Sequence, residues 1–249
     1  MKMIKSLAIA LALCATTPAM AQFTAGGSSS SDSENKGYNR VAVSYNNSLY
    51  SPNIVADGIT SIGLNGVGVN FIHGFSLSET LPMFLEVGGN LNFDFGSQDL
   101  TDKLTEGEYW AQAKQLYQDI NLQVPVNFLW KFNINENFSL DTYFGLNFKL
   151  HLSSTQKKDI DTNIPEEVWE EAGIKTEYES ISLFDEDKMG KDNTWNRFQM
   201  GWHVGVGAHY KKFYLGLQYG TDFIPAYSYS KSDYKINTSN LKVSLGYTF

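Results

Sequence analysis

The sequence predicts an all-β fold: eight antiparallel strands closed into an up-and-down transmembrane β-barrel with long extracellular loops. Three observations lead there. Apolar and polar side chains alternate with period two from Arg40 to Phe249. Several alternating segments run well past the ~5–6 residues of a soluble strand, and reach the ~9–11 that a tilted strand needs to cross a bilayer. The connectors are short and long by turns, the pattern of periplasmic turns and extracellular loops.

The first segment places Val41, Val43 and Tyr45 on one face, and the second does the same with Val67, Val69 and Phe71. In the third, Met83 to Phe95 sets odd-numbered apolar positions against Phe84, Glu86, Gly88, Asn90, Asn92 and Asp94. The fourth sets Ile120, Leu122, Val124, Val126 and Phe128 against Asn121, Gln123, Asn127, Leu129 and Lys131. In the fifth, Leu140, Phe144, Leu146 and Leu150 oppose Ser139, Asp141, Tyr143, Lys149 and His151. The sixth opposes Phe198, Trp202 and Val204 to Arg197, Gln199, His203 and His209. Leu215, Leu217 and Tyr219 mark the seventh segment, and Leu241, Val243, Leu245, Tyr247 and Phe249 the eighth, with Lys242 and Ser244 facing inward.

Short connectors are read at Ser76 to Pro82, Asn133 to Asn137 and Tyr210 to Lys212. Long ones are read at Asn46 to Ile62, Gly96 to Gln118, Ser153 to Asn193 and Asp222 to Ser239. Aromatics cluster at the segment ends, where their rings suit a membrane interface. Phe75, Phe132, Phe138, Tyr210 and Phe213 belong to the periplasmic level, and Tyr45, Phe95, Tyr117 and Phe223 to the outer one.

Composition agrees. The 249 residues include 16 Phe, 14 Tyr and 21 Gly, with 18% charged. A formal charge of −8 argues against a nucleic-acid partner, which needs a basic face. After the N-terminus no run of ~18 apolar residues occurs, which excludes a helical membrane bundle. Residues 1–21 read as a signal peptide: Lys2 and Lys5, an apolar core from Leu7, and Ala19-Met20-Ala21 before Gln22. A competing lipoprotein cleavage before Cys14 is disfavoured by Leu13. Residues 22–37 are Gly/Ser-rich and read as a flexible arm, leaving 38–249 as the barrel domain.

A barrel of eight strands has room for its own side chains and little else. Arg40, Glu86, Asp94, Lys131, Asp141, Lys149, Arg197, His203 and Lys242 therefore read as a polar network filling the lumen. His151, His203, His209, Ser139 and Ser244 also point inward, but no local motif arranges them for catalysis, and no catalytic, cofactor or metal site is expected.

Thr105-x-x-Glu108 resembles a capping box, and predicts an amphipathic helix over Gly107 to Tyr117. A second short helix is predicted from Pro165 toward Gly173. Between Ser153 and Asn193 stand 12 Asp/Glu and 5 Lys, with Trp110 and Trp169 as candidate loop contacts. This loop is the candidate contact for an extracellular protein or bridging divalent cations.

Leu122-Gln123-Val124-Pro125-Val126, with Lys131 following, resembles the proline-bearing strand of the outer-membrane β-barrel family common in Bacteroidetes, the PorT-like group. Gly201-x-x-x-Gly205-x-Gly207, Leu215 to Gly220 and the closing Leu241 to Phe249 strand match its grammar. The resemblance covers about residues 38 to 249 and implies an eight-stranded barrel in the cell outer membrane, without a shared ligand or activity. Gln123 replaces the usual acidic residue, and the 153–193 loop looks long for the family. Tyr247 and Phe249 look like the C-terminal signal read by barrel-assembly machinery, and outer-membrane lipid is the expected surrounding. Pro125 predicts a β-bulge, since proline removes a ladder donor. The functions compared are an interaction or structural role, a narrow channel or transport/secretion accessory, and a lipid-modifying barrel enzyme.

Overall fold

A computed structural model describes residues 37–54, 61–101, 104–106, 108–171, 178–190, 195–229, 231 and 233–249. The expected signal cleavage at Ala21/Gln22 and the arm up to residue 36 lie outside the described residues. The main strands are β1 (Tyr38–Pro52), β2 (Ile62–Ser76), β3 (Met83–Asp99), β5 (Tyr109–Asn135), β6 (Phe138–Thr162), β8 (Phe198–Tyr210), β9 (Phe213–Asp222) and β11 (Lys235–Thr248). Three short strands, β4 (Leu104–Glu106), β7 (Ile181–Ser182) and β10 (Tyr227–Ser228), decorate β5, β6 and β11.

Each main strand pairs antiparallel with the next, and β11 pairs with β1 from Arg40↔Thr248 to Pro52↔Ile236. The eight-strand ring is thereby closed, which leaves no bare edge within it. The seam ends on reciprocal backbone bonds: Asn39 N–H donates to Phe249 O at 3.0 Å, and Phe249 N–H to Asn39 O at 2.9 Å.

The alternation read from the sequence becomes an inside and an outside. Ser44, Asn46, Glu86, Asn92, Asp141 and Gln199 are buried within the ring. On the opposite face Val43, Phe144 and Leu245 are each 60–61% exposed, in a continuous apolar girdle. Soluble monomers rarely expose a patch beyond a few hundred Å².

At one end the connectors are tight. Asn135 Oδ1 accepts from the backbone N–H groups of Asn137 and Phe138, both at 2.9 Å, and so closes the β5–β6 turn. Lys211 takes φ 56° in the β8–β9 turn, and its N–H donates to Asn137 O at 2.6 Å. Neighbouring turns are thus stitched together.

Four expectations are corrected. Residues 109–117 are strand, not helix: Ala111 to Asp119 pairs with Thr162 to Ser154 in a hairpin that outruns the ring. Nine such pairs at a rise of ~3.4 Å run for roughly 30 Å along the strands, with β3 accompanying β5 as far as Asp99↔Lys114. The long connectors shrink accordingly, because strand pairing continues into what reads as loop.

Pro125 sits in no bulge. Pairing with β6 is regular around it, and pairing with β3 lapses opposite Gly88 and Gly89 but resumes in the same register at Val87↔Val126 and Asn90↔Gln123. The irregularities of the β5–β6 ladder fall between Ile120 and Asn121 and between Asn133 and Asn135 instead. Finally, Tyr117 is no outer girdle residue. It packs inward against Tyr50, Leu64 and Ala226. The second helix does form, as α1 (Glu166–Glu171), and α2 (Glu186–Met189) follows it with Asp185 as N-cap.

Candidate functional site

Strand ends at the tight-turn side bring a charged cluster together. Glu86 Oε1 accepts from Tyr38 O–H at 2.6 Å and pairs with Arg40 at 2.7 Å, while Glu86 Oε2 accepts from Asn127 Nδ2 at 2.9 Å. Asn127 Oδ1 in turn accepts from His203 Nε2 at 2.6 Å. The Arg40 guanidinium lies 3.9 Å from the ring centroid of Tyr214. Beside this cluster His209 Nε2 meets Asp141 Oδ2 at 2.6 Å. Phe84, Leu129 and Tyr143 pack together within the ring, so this end is closed by apolar bulk as well as by charge.

Glycines make the room. A Cβ on Gly205 would stand 2.2 Å from the Tyr143 ring, and one on Gly216 would stand 2.3 Å from the Tyr214 hydroxyl. The glycine pattern of the sequence is therefore a cradle for two tyrosine rings.

Toward the long-loop side the network is mostly amide. Asn46 Nδ2 donates to Asn92 Oδ1 at 2.8 Å, Asn92 Nδ2 to Asn121 Oδ1 at 2.9 Å, and Asn121 Nδ2 to Asp119 Oδ2 at 2.7 Å and Asp94 Oδ2 at 3.1 Å. Lys242 Nζ donates to Gln123 Oε1 at 3.1 Å. Lys149 Nζ is held by Asp222 at 2.7 Å and by Gln199 at 3.1 Å. His151 Nδ1 meets Asp119 Oδ1 at 2.7 Å. Gln123, which replaces an acid in the resemblance, is thus an amide acceptor for Lys242.

Among the described residues, a cavity of about 30 Å³ lies beside Arg40, Asn70 and Lys242, and one of about 20 Å³ beside His151, Tyr50 and Trp195. Each has the size of about one or two waters. Over the outer one, Leu183 and Ala226 are buried, and Trp195 rests its ring 5.9 Å from Tyr50 and 5.8 Å from Tyr227.

Seven of the nine expected network residues are fully buried in the lumen: Arg40, Glu86, Asp94, Asp141, Lys149, His203 and Lys242. Lys131 is half-buried at the tight-turn end, 5.8 Å from the Tyr38 ring. Arg197 is corrected. Its side chain is exposed at the outer rim and stacks 4.4 Å from the ring of Phe184. β8 begins one residue later, so the alternating pattern was carried past its end. Sequence reasoning missed Tyr38, Asp119 and Asp222 as network members. Parity pointed to Asp119, which lies two positions before inward Asn121, but the helix reading hid it.

Trp110 and Trp169 are both half-buried, so neither is the protruding anchor expected of it. Trp110 sits at the hairpin tip, where its N–H donates to Asn163 Oδ1 at 2.7 Å and its carbonyl accepts from Thr162 Oγ1 at 2.6 Å. Tyr109 and Val168 are the exposed apolar residues beside them, at 52% and 51%. Between β4, β5 and α1 lies a cleft of about 400 Å³. Lower on the hairpin, Lys114 Nζ pairs with Asp161 at 2.7 Å, a bond that holds its ammonium pKa above the ordinary value. Among the described residues, no group of three or more His, Cys, Asp or Glu side chains is arranged to hold a metal ion.

A closed ring with an apolar outside and a polar inside narrows the comparison to one kind of protein. The family model described as "Outer membrane protein beta-barrel domain" matches residues 21–228. The chain belongs to that family. It is an outer-membrane protein. Among solved structures, it is similar to Ail, the attachment invasion locus protein of Yersinia pestis, crystallised with the heparin analogue sucrose octasulfate. Identity is 14%, the TM-score 0.34, and coverage 86% of this chain and 99% of that one. Neisserial surface protein A is 8% identical with TM-score 0.34, covering 85% and 97%. An outer membrane channel from Pseudomonas putida F1 is 12% identical with TM-score 0.31, covering 90% and 100%. No curated protein sequence matches.

Proposed function

We propose that this outer-membrane barrel is a non-conducting anchor that presents its acidic outer loops to a partner outside the cell. The observation that carries the reading is the lumen. Salt bridges, amide chains and apolar packing fill it, and the cavities among its described residues, of about 30 and 20 Å³, are far below a solute path. Aqueous channels need about twice as many strands.

The loop between Ser153 and Asn193, with 12 Asp/Glu against 5 Lys, is the surface that remains to act. In this reading the apolar girdle contacts outer-membrane lipid, and exposed Tyr247 and Phe249 serve the barrel-assembly machinery. Residues 1–21 act as the signal peptide, and the Leu122–Val126 strand supports a place in the PorT-like, Bacteroidetes branch. The protein is not an enzyme in this reading. Its three lumen histidines are bonded to Asp119, Asn127 and Asp141, as members of the packing network.

Planar-bilayer recording of the purified barrel tests the anchor: silence is expected, and steady conductance overturns it. Cross-linking on intact cells tests the loops. Replacing residues 163–180 with an eight-residue Gly/Ser linker, long enough to span from Thr162 to Ile181, should remove an extracellular cross-link. An unchanged pattern rejects the partner role.

A further inference from the structure

The hairpin tip carries a cleft whose floor and rim have opposite character. Tyr109, Trp110, Ala111, Ile164 and Val168 supply an apolar lining, and Tyr109 and Val168 are more than half exposed. Glu106 also lines it, and Glu108, Glu166 and Glu167 stand within two residues of lining positions in the sequence; all four glutamates are exposed. Across the tip, residues 104–114 and 157–171, eight carboxylates face three lysines, one of which is already engaged by Asp161.

We propose that this cleft binds a cationic amphipathic peptide segment of another protein, whose apolar side chains enter the lining while its Lys or Arg side chains meet the glutamate rim. The inference rests on the loop-presentation reading above and names its partner chemistry. Charge complementarity selects the occupant. An anionic lipid headgroup or polyanionic sugar would be repelled by the rim, and the tip stands roughly 30 Å beyond the Ile120/Asn121 irregularity, away from the bilayer. A second copy of this chain would bring the same glutamates against themselves, because a two-fold contact repeats one patch. A divalent ion would need several converging ligands, and no group of three or more His, Cys, Asp or Glu side chains is arranged to hold one among the described residues.

The experiment uses the full mature chain in phosphatidylcholine nanodiscs, titrated with a 12-residue synthetic peptide of alternating Leu and Lys. A Ser/Lys peptide of equal charge is the comparison. The Leu/Lys probe is expected to bind, to weaken at least ten-fold in the Tyr109→Ser, Val168→Ser double variant, and to weaken with Glu166→Gln, Glu167→Gln and with added salt. All four positions are exposed, so the barrel core is untouched.

No probe binding by the parent overturns the proposal, as does equal affinity for the Ser/Lys peptide. Undiminished affinity in the Tyr109/Val168 variant overturns it too. If that variant binds normally while the 163–180 replacement loses both probe and cellular cross-link, the loop-presentation reading stands and the cleft does not. If the cellular cross-link survives the replacement, the broader reading falls independently.

Discussion

Arg40 is buried among Glu86, Tyr38 and the face of Tyr214, and its charge is tolerated because each neighbour is matched to it. Removing one partner of a buried pair strands the other, at a cost of about 3–5 kcal/mol. Glu86→Ala should therefore destabilise the barrel by that order in urea unfolding from micelles, whereas a loss under 1 kcal/mol would mean that Arg40 finds another partner. Gly205→Ala is a second case. Its methyl would overlap the Tyr143 ring, which is itself packed with Phe84 and Leu129, so a destabilisation of about 1–3 kcal/mol is expected. At this scale parity in the sequence was a strong guide: Glu86, Asp94, Asp141, Lys149 and Lys242 all lie where alternation puts them. It failed for Arg197, where a strand end released the side chain, and for Tyr117, where an apparent helix masked the strand phase.

The hairpin of β5 and β6 shows why elements are harder to read than faces. Trp110, Ala113, Leu116 and Tyr117 recur at helical spacing, yet every residue from Ala111 to Asp119 is paired with a partner 35 to 51 positions later. Cross-strand pairing overrides local preference, and a partner so distant leaves no trace in the local window. The tip is fastened by Asn163, which accepts from Trp110 N–H and donates to Glu108 O, both at 2.7 Å. Asn163→Ala should speed amide exchange at Trp110 markedly without altering exchange in β1 or β11; equal protection in parent and variant would contradict the fastening role. Pro125→Ala tests the other irregularity. The register is unbroken on both sides of the gap, so a restored N–H opposite Gly88 and Gly89 should become protected, with stability changed by about 1 kcal/mol or less. An exchange rate like that of an open amide would point to a ladder kept apart by something other than proline.

At the scale of the whole molecule, the number of strands, their direction and their inside faces were all legible, because a bilayer leaves few ways to satisfy a backbone. The filling of the lumen was legible as a consequence of strand count. The closing cover was not: Leu183 and Trp195 come from the β6–β8 connector and Ala226 from the β9–β11 connector, and they are joined by long-range backbone bonds such as Asn196 N–H to Ala226 O at 2.8 Å. Deleting Phe249 removes both reciprocal backbone bonds to Asn39 together with the terminal ring. Insertion into the outer membrane should fall sharply, measured as the heat-modifiable fraction on a gel; normal insertion would leave the terminal residue without a role in closure.

The thirteen-pair seam between Arg40–Pro52 and Ile236–Thr248 joins the beginning of the described chain to its end. A ribosome that stalls before Lys235 therefore releases a polypeptide in which β1 has lost its mate, and no partial product can stop as a smaller ring with this pairing. Without β11 the unpaired N–H and C=O groups of β1 stay open to any other strand, and with it they are covered along the whole seam.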